Sequence, residues 1–136
     1  MKKLLLLCAI LICTCSSFAQ SDGTSMILEA YGQNRYDEMS SSNPGQIELL
    51  EKYALFGFHI LPSNDKYASF PELIEIPMRS KNGTTVSIQE FLQAFDSGSF
   101  NPLVYGFFPQ NDIQLFRLQG TNRVVFIDRQ STILEQ

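Results

Sequence analysis

Cysteine is missing from most of this chain: Cys8, Cys13 and Cys15 all lie in the first 19 residues, and the rest of the 136 residues contain none. Past that segment there is no disulfide scaffold, no thiolate metal or iron–sulfur site and no thiol nucleophile. Tryptophan is absent and histidine occurs once, at position 59. A serine triad would have to use His59, yet no Gly-x-Ser-x-Gly elbow exists. A zinc site would need three carboxylate or solvent ligands around one imidazole, a rare donor set. Basic residues are scarce as well. Setting Lys2 and Lys3 aside leaves eight against 14 acidic side chains, a net charge of −6. That balance excludes general nucleic-acid binding, which needs a basic surface. Neither a Walker A loop nor a dinucleotide fingerprint occurs, and nothing implies a cofactor.

Long hydrophobic runs are also lacking. Leu4–Cys13 is apolar but only ten residues long, short of the roughly 20 that span a bilayer. With Met1-Lys2-Lys3 before it and small Ser17 and Ala19 behind it, residues 1–19 read as a signal peptide cleaved between Ala19 and Gln20. The alternative is a lipoprotein acylated at Cys15, although Thr14 is a poor residue just before such a cysteine. Leu103–Phe108, the other apolar run, is six residues between prolines, so no integral span is expected after cleavage. The expected location is periplasmic or extracellular.

Residues 20–136 read as a single α+β domain. Gln20–Ser25 is polar and expected to fray. Ile27, Leu28, Tyr31 and Met39 recur at loosely helical spacing, weakened by Gly32, and predict one helix over 26–39. Ser40–Asn43 reads as a connector. Asn43 as N-cap, Pro44 at the first position and Gln46 three after the cap open a second helix, with Ile47, Leu50, Tyr53 and Ala54 on its apolar face and Gly57 as its stop. Phe56–Pro62 and Leu73–Ile76 read as strands around a polar turn at 63–69. Asn82-Gly83 is the strongest hairpin signal and returns the chain through Thr84–Val86. Ser87 with Glu90 makes a capping box for a third helix through Phe91, Leu92 and Phe95, ending near Gly98. Ile113–Leu118 and Arg123–Asp128 form a hairpin over a four-residue loop. Because Val124–Ile127 lacks polar alternation, both faces of its second strand should be covered. Ile133-Leu134 is expected to add a last short pairing. The expectation is an N-terminal helical pair, a third helix, and an antiparallel sheet ending in a C-terminal β-hairpin.

Candidates for chemistry are few. His59 sits among Phe58, Ile60 and Leu61 and reads as a half-buried strand residue. The acid pairs Asp37/Glu38 and Glu48/Glu51 fall on helix faces that look solvated, Glu72/Glu75 flank a strand, and sequence does not place two of them across a cleft. Asp96–Ser99 lacks the ligand pattern of an EF-hand and reads as a helix-ending turn. Arg117, Arg123 and Arg129 gather around the hairpin. If Arg117 and Arg123 shared one face, they would suit an anionic partner. The most unusual segment is Phe100–Pro109, rich in aromatics and broken by Pro102, Gly106 and Pro109. It is either an irregular core segment or a partner-binding patch. The partner-binding candidates are therefore Phe100, Leu103, Tyr105, Phe107, Phe108, Arg117 and Arg123, with no catalytic and no metal residue. The function expected is that of a non-catalytic exported accessory or binding protein acting on an unidentified envelope protein. The alternatives are a small hydrolase using His59 or a carboxylate pair, and an inhibitor or immunity-type protein.

Overall fold

The C-terminal hairpin supplies the two central strands of the main sheet. A computed structural model describes residues 22–79 and 83–136, and within them β1 (Phe58–Pro62), β2 (Glu72–Leu73), β5 (Gln114–Leu118) and β6 (Arg123–Ile127) form one sheet in the order β1-β6-β5-β2. β6 lies in the middle, antiparallel to β1 and β5, and β2 joins β5 in parallel. The central place of β6 explains its unalternated sequence, because Val124, Val125 and Ile127 are all fully buried. β3 (Glu75–Pro77) and β4 (Thr85–Ser87) make a separate antiparallel pair. Gly83, at φ +72, supports the expected hairpin between them, while Asn82 falls outside the described residues. So do residues 1–21, with all three cysteines.

Leu73–Ile76 was expected as one strand and is two. The chain bends at Ile74, so that Leu73 pairs with Leu118 in the main sheet and Ile76 with Val86 in the small one. Changing sheets leaves the Ile74 side chain 67% exposed while Ile76 is fully buried.

Five helices pack around this frame: α1 (Gly23–Tyr31), α2 (Gln33–Ser42), α3 (Pro44–Lys52), α4 (Ile88–Asp96) and α5 (Gln130–Leu134). The expected N-terminal pair is a trio. Gly32 does more than weaken a helix: at φ +80 and ψ 163 it ends α1, its N–H bonding the Leu28 carbonyl, and starts α2, its carbonyl accepting from Tyr36. The start of α1 is not frayed, since Asp22 accepts from Ser25 N–H at 2.8 Å as N-cap. Gly23 then lets α1 meet α3 closely. A Cβ there would lie 2.7 Å from the Glu51 backbone, and Thr24 donates to Glu51 at 2.6 Å. α2 runs through the expected connector to Ser42, and Asn43 caps α3 as read, accepting from Gln46 N–H. A π-helical turn, Tyr53–Gly57, delivers the chain into β1. The capping box of α4 is present in both directions. Ile133-Leu134 forms no pairing; it belongs to α5, where buried Ile133 fills the space beside Gly57.

The inner face of the sheet carries Phe58, Ile60, Phe116, Leu118, Val125 and Ile127 into one core shared with the helices and the 100–109 segment. Aromatic rings hold this seam. Phe58 lies 5.4 Å from Phe100, 5.8 Å from Phe107 and 6.3 Å from Phe91, and Phe91 meets Tyr105 edge-on at 4.9 Å. Edge-to-face pairs of this kind contribute about 0.5–1.5 kcal/mol beyond the area they bury.

Candidate functional site

The 100–109 segment is core. Asn101 caps a 3-10 turn at Pro102–Val104. Its amide also donates at 2.9 Å to both the Met26 carbonyl and Glu29, tying the segment to α1. Leu103, Tyr105 and Phe107 are buried, and Phe100 and Phe108 are half-buried against the same cluster. Of the seven partner-binding candidates, these five therefore offer a partner little or nothing to touch. Tyr105 bridges Met78 just past β3, with Arg79 N–H donating to the Val104 carbonyl and Gly106 N–H to the Pro77 carbonyl, and a Cβ at Gly106 would lie 2.8 Å from Pro77.

Arg117 and Arg123 are not brought together. Arg117 pairs in register with Val124, so Arg123, one residue earlier on β6, projects from the opposite face. Each guanidinium is also engaged: Arg117 with Glu72 at 3.2 Å and the Phe70 carbonyl at 2.9 Å, Arg123 with Asp96 at 2.8 Å. The acid pairs likewise have local neighbours. Glu38 bonds Arg35, Asp37 accepts from Gln33, Glu48 pairs with Lys52, Glu51 accepts from Thr24, and Glu75 accepts from Thr85.

What sequence reading missed is the partner of His59. Its Nε2 lies 2.9 Å from Asp128 Oδ2, at the margin where β1 and β6 leave the sheet, and the ring sits 5.9 Å from Phe126. A neutral imidazole in this arrangement donates from Nε2, so the carboxylate fixes its tautomer and orientation. No hydroxyl bonds the other ring nitrogen among the described residues. Position 128 gave no signal in the sequence, since only the register Phe58↔Ile127 sets Asp128 beside the end of β1.

His59 belongs to the outer face of the sheet, with Leu61, Val124, Phe126, Leu115 and Arg117. Val124 and Leu115 are buried there, outside the main core. The 63–71 connection runs from β1 at one edge to β2 at the other, fastened by Ser63 N–H to the Asn122 carbonyl at 2.5 Å and by Arg117 N–H to the Pro71 carbonyl at 2.8 Å. Leu61 is 36% exposed and Ile113, just before β5, is 52% exposed. A shallow groove of about 410 Å³ lies at the Pro62 end of β1, lined by Ile60, Leu61, Pro62, Phe95, Asn122 and Arg123.

A second polar cluster is structural. Arg79 lies over the Tyr31 ring at 3.4 Å and donates to the Leu103 and Ala30 carbonyls, the latter in the last turn of α1. Burial lowers the pKa of this guanidinium, and burial raises those of Tyr31, Tyr53 and Tyr105. Among the described residues, no group of three His, Cys, Asp or Glu side chains could hold a metal ion, and no helix is long and apolar enough to cross a membrane. The chain matches no known protein family, no curated protein and no solved structure.

Proposed function

We propose that this is an exported, non-catalytic accessory protein that acts through contact with another envelope protein, and that the contact lies at the β1 margin. The observation that carries the reading is the outer surface at Leu61, which stays exposed beside His59 and Phe126, with exposed Ile113 on the same face across β6. Interface cores draw on apolar and aromatic side chains of this kind. The site moves away from Phe100–Phe108, whose side chains serve the core, while the type of function stays as the sequence suggested.

A photo-crosslinking side chain placed at Leu61 or Ile113 in the native host tests this, with Asp37 on α2 as control. One and the same protein captured from both margin positions, and not from Asp37, is the expected result. No adduct at either margin position overturns the reading. Intact mass of the exported protein should begin at Gln20.

A second reading has one observation in its favour. Asp128 orients His59 as an acid orients the base of a hydrolase. Under it, His59→Ala abolishes an activity on ester or peptide substrates while margin adducts are unchanged. Under the contact reading, the variant keeps its fold and has no activity to lose.

A further inference from the structure

Antiparallel strands turn the backbone groups of alternate residues toward and away from each neighbour. At the β1–β6 boundary the phase is set by two bonds: Asp128 N–H donates to the Gly57 carbonyl at 2.9 Å, and Ser63 N–H to the Asn122 carbonyl at 2.5 Å. Both continue the register Phe58↔Ile127 through Pro62↔Arg123. Residues 57, 59, 61 and 63 therefore face β6. Phe58, Ile60 and Pro62 face outward, along an edge where no other strand lies. Among the described residues, neither the N–H nor the C=O of Ile60 has a partner beyond the sheet. The groove at the Pro62 end of β1 is lined in part by Ile60, Pro62 and Phe95.

From this edge we infer that β1 accepts a single extended segment of a partner protein as an added strand, antiparallel to β1 and centred on Ile60. The inference rests on the reading of the β1 margin as a contact surface and names what that surface takes. The guest residue opposite Ile60 makes two backbone bonds, and the residues two before and two after it donate to the carbonyls of Phe58 and Pro62. Its central side chain falls on the Ile60 side of the sheet, into the groove beside Phe95, and is apolar. No proline stands at any of the three donating positions.

A second copy of this chain is the wrong guest. Two-fold pairing on Ile60 sets the outward carbonyl of Phe58 against Pro62 of the other molecule, which has no N–H to give. The edge is also short. Five residues extend about 17 Å at roughly 3.4 Å each, and two such edges bury well below the ~1,200 Å² of a stable dimer. A linear segment of another protein meets neither obstacle.

The test uses a displayed library of random nonapeptides selected on the full mature protein. The expected outcome is enrichment of proline-free peptides with an apolar centre. Binding of one such peptide slows hydrogen exchange at the Ile60 amide while the His59 and Leu61 amides, bonded to β6, are already slow. Ile60→Pro removes the outward N–H together with an Ile60 side chain that packs on the core and lines the groove, and it weakens the peptide by roughly tenfold or more. Exchange on the wild-type protein keeps the test decisive even if that variant folds poorly. No enrichment overturns the inference, as do enriched peptides that leave Ile60 exchange unchanged. Margin adducts from Leu61 that persist alongside either result would keep the contact surface and remove the added strand.

Discussion

The two faces of the main sheet are finished differently. The inner face meets α3, α4 and the 100–109 segment, and its rings interlock from Phe58 through Phe91, Phe100, Tyr105 and Phe107 to Phe116. The outer face buries Val124 and Leu115 apart from the main core and leaves Leu61 on β1 partly exposed. The inner face is built from residues far apart in the chain, so a loss there is felt by many neighbours. The outer margin is built from one strand and a side-chain pair, so a change there alters what the molecule can touch with little effect on folding. On the proposed reading, the outer margin serves contact while the inner face serves stability.

The largest effect belongs to the inner face. Phe91 is fully buried and touches Phe58, Phe100, Tyr105 and Phe107. Phe91→Ala should cost about 3–5 kcal/mol, a large part of the 5–15 kcal/mol typical of a domain. Thermal melting should fall by about 10–20 °C. A drop of only a few degrees would mean that the ring cluster is not the main support of the sheet. Next comes Asn101, 4% exposed, whose amide and carbonyl bind Met26, Glu29 and Leu103. Asn101→Ala strands those groups and should cost about 1–3 kcal/mol in urea denaturation. An unchanged urea midpoint would show that α1 holds the segment without it.

Tyr53 sharpens the comparison from within the core. Its hydroxyl is buried and has no hydrogen-bond partner among the described residues. Burial, with a smaller contribution from Tyr31, raises its pKa far above the ordinary value. Tyr53→Phe should leave stability at neutral pH unchanged or raise it by about 1 kcal/mol. The alkaline side shows the same hydroxyl by linkage. The unfolded phenol ionises near pH ~10, while the folded one keeps its proton. Stability present below that pH is therefore lost as pH rises above it. Urea titrations at pH 8 and at pH 11 should show a smaller alkaline loss for Tyr53→Phe than for the wild type. Equal losses would place the hydroxyl in contact with solvent.

Local signals were readable wherever a side chain acts on its own backbone. The Asn43 cap, the Ser87/Glu90 box and the loop between β5 and β6 all stand where their residue types put them. The covered central strand was readable from the run Val124–Ile127. Errors arose where tertiary packing chose between outcomes of similar local cost. Ile133-Leu134 suits a strand, yet the space beside Gly57 takes Ile133 from a helical turn. Ile74 breaks what reads as one strand because its neighbours pair in two different sheets. The candidate site was the least readable part. An aromatic run such as 100–109 reports how much apolar surface the chain must place, and only the topology decides that it faces inward. His59 with Asp128, and the outward N–H of Ile60, follow from register, which no single segment encodes.

The smallest expected effect on stability is the one that bears most on function. Leu61 sits on β1 with its side chain on the outer face, 36% exposed and turned away from the main core. Leu61→Lys keeps the backbone bonds to β6, and a lysine stem covers much of the same surface while its ammonium stays in water. The change in unfolding free energy should stay within about 0.5 kcal/mol. The charge would stand in the middle of the proposed contact, where desolvating it without a partner is costly. Adduct formation from a crosslinker at Ile113 should then fall sharply in a protein whose melting curve is nearly that of the wild type. If Leu61→Lys instead melts well below the wild type, the outer margin carries folding stability and the division of labour between the two faces is wrong. If it melts normally and the adduct from Ile113 persists, the contact lies elsewhere on the molecule.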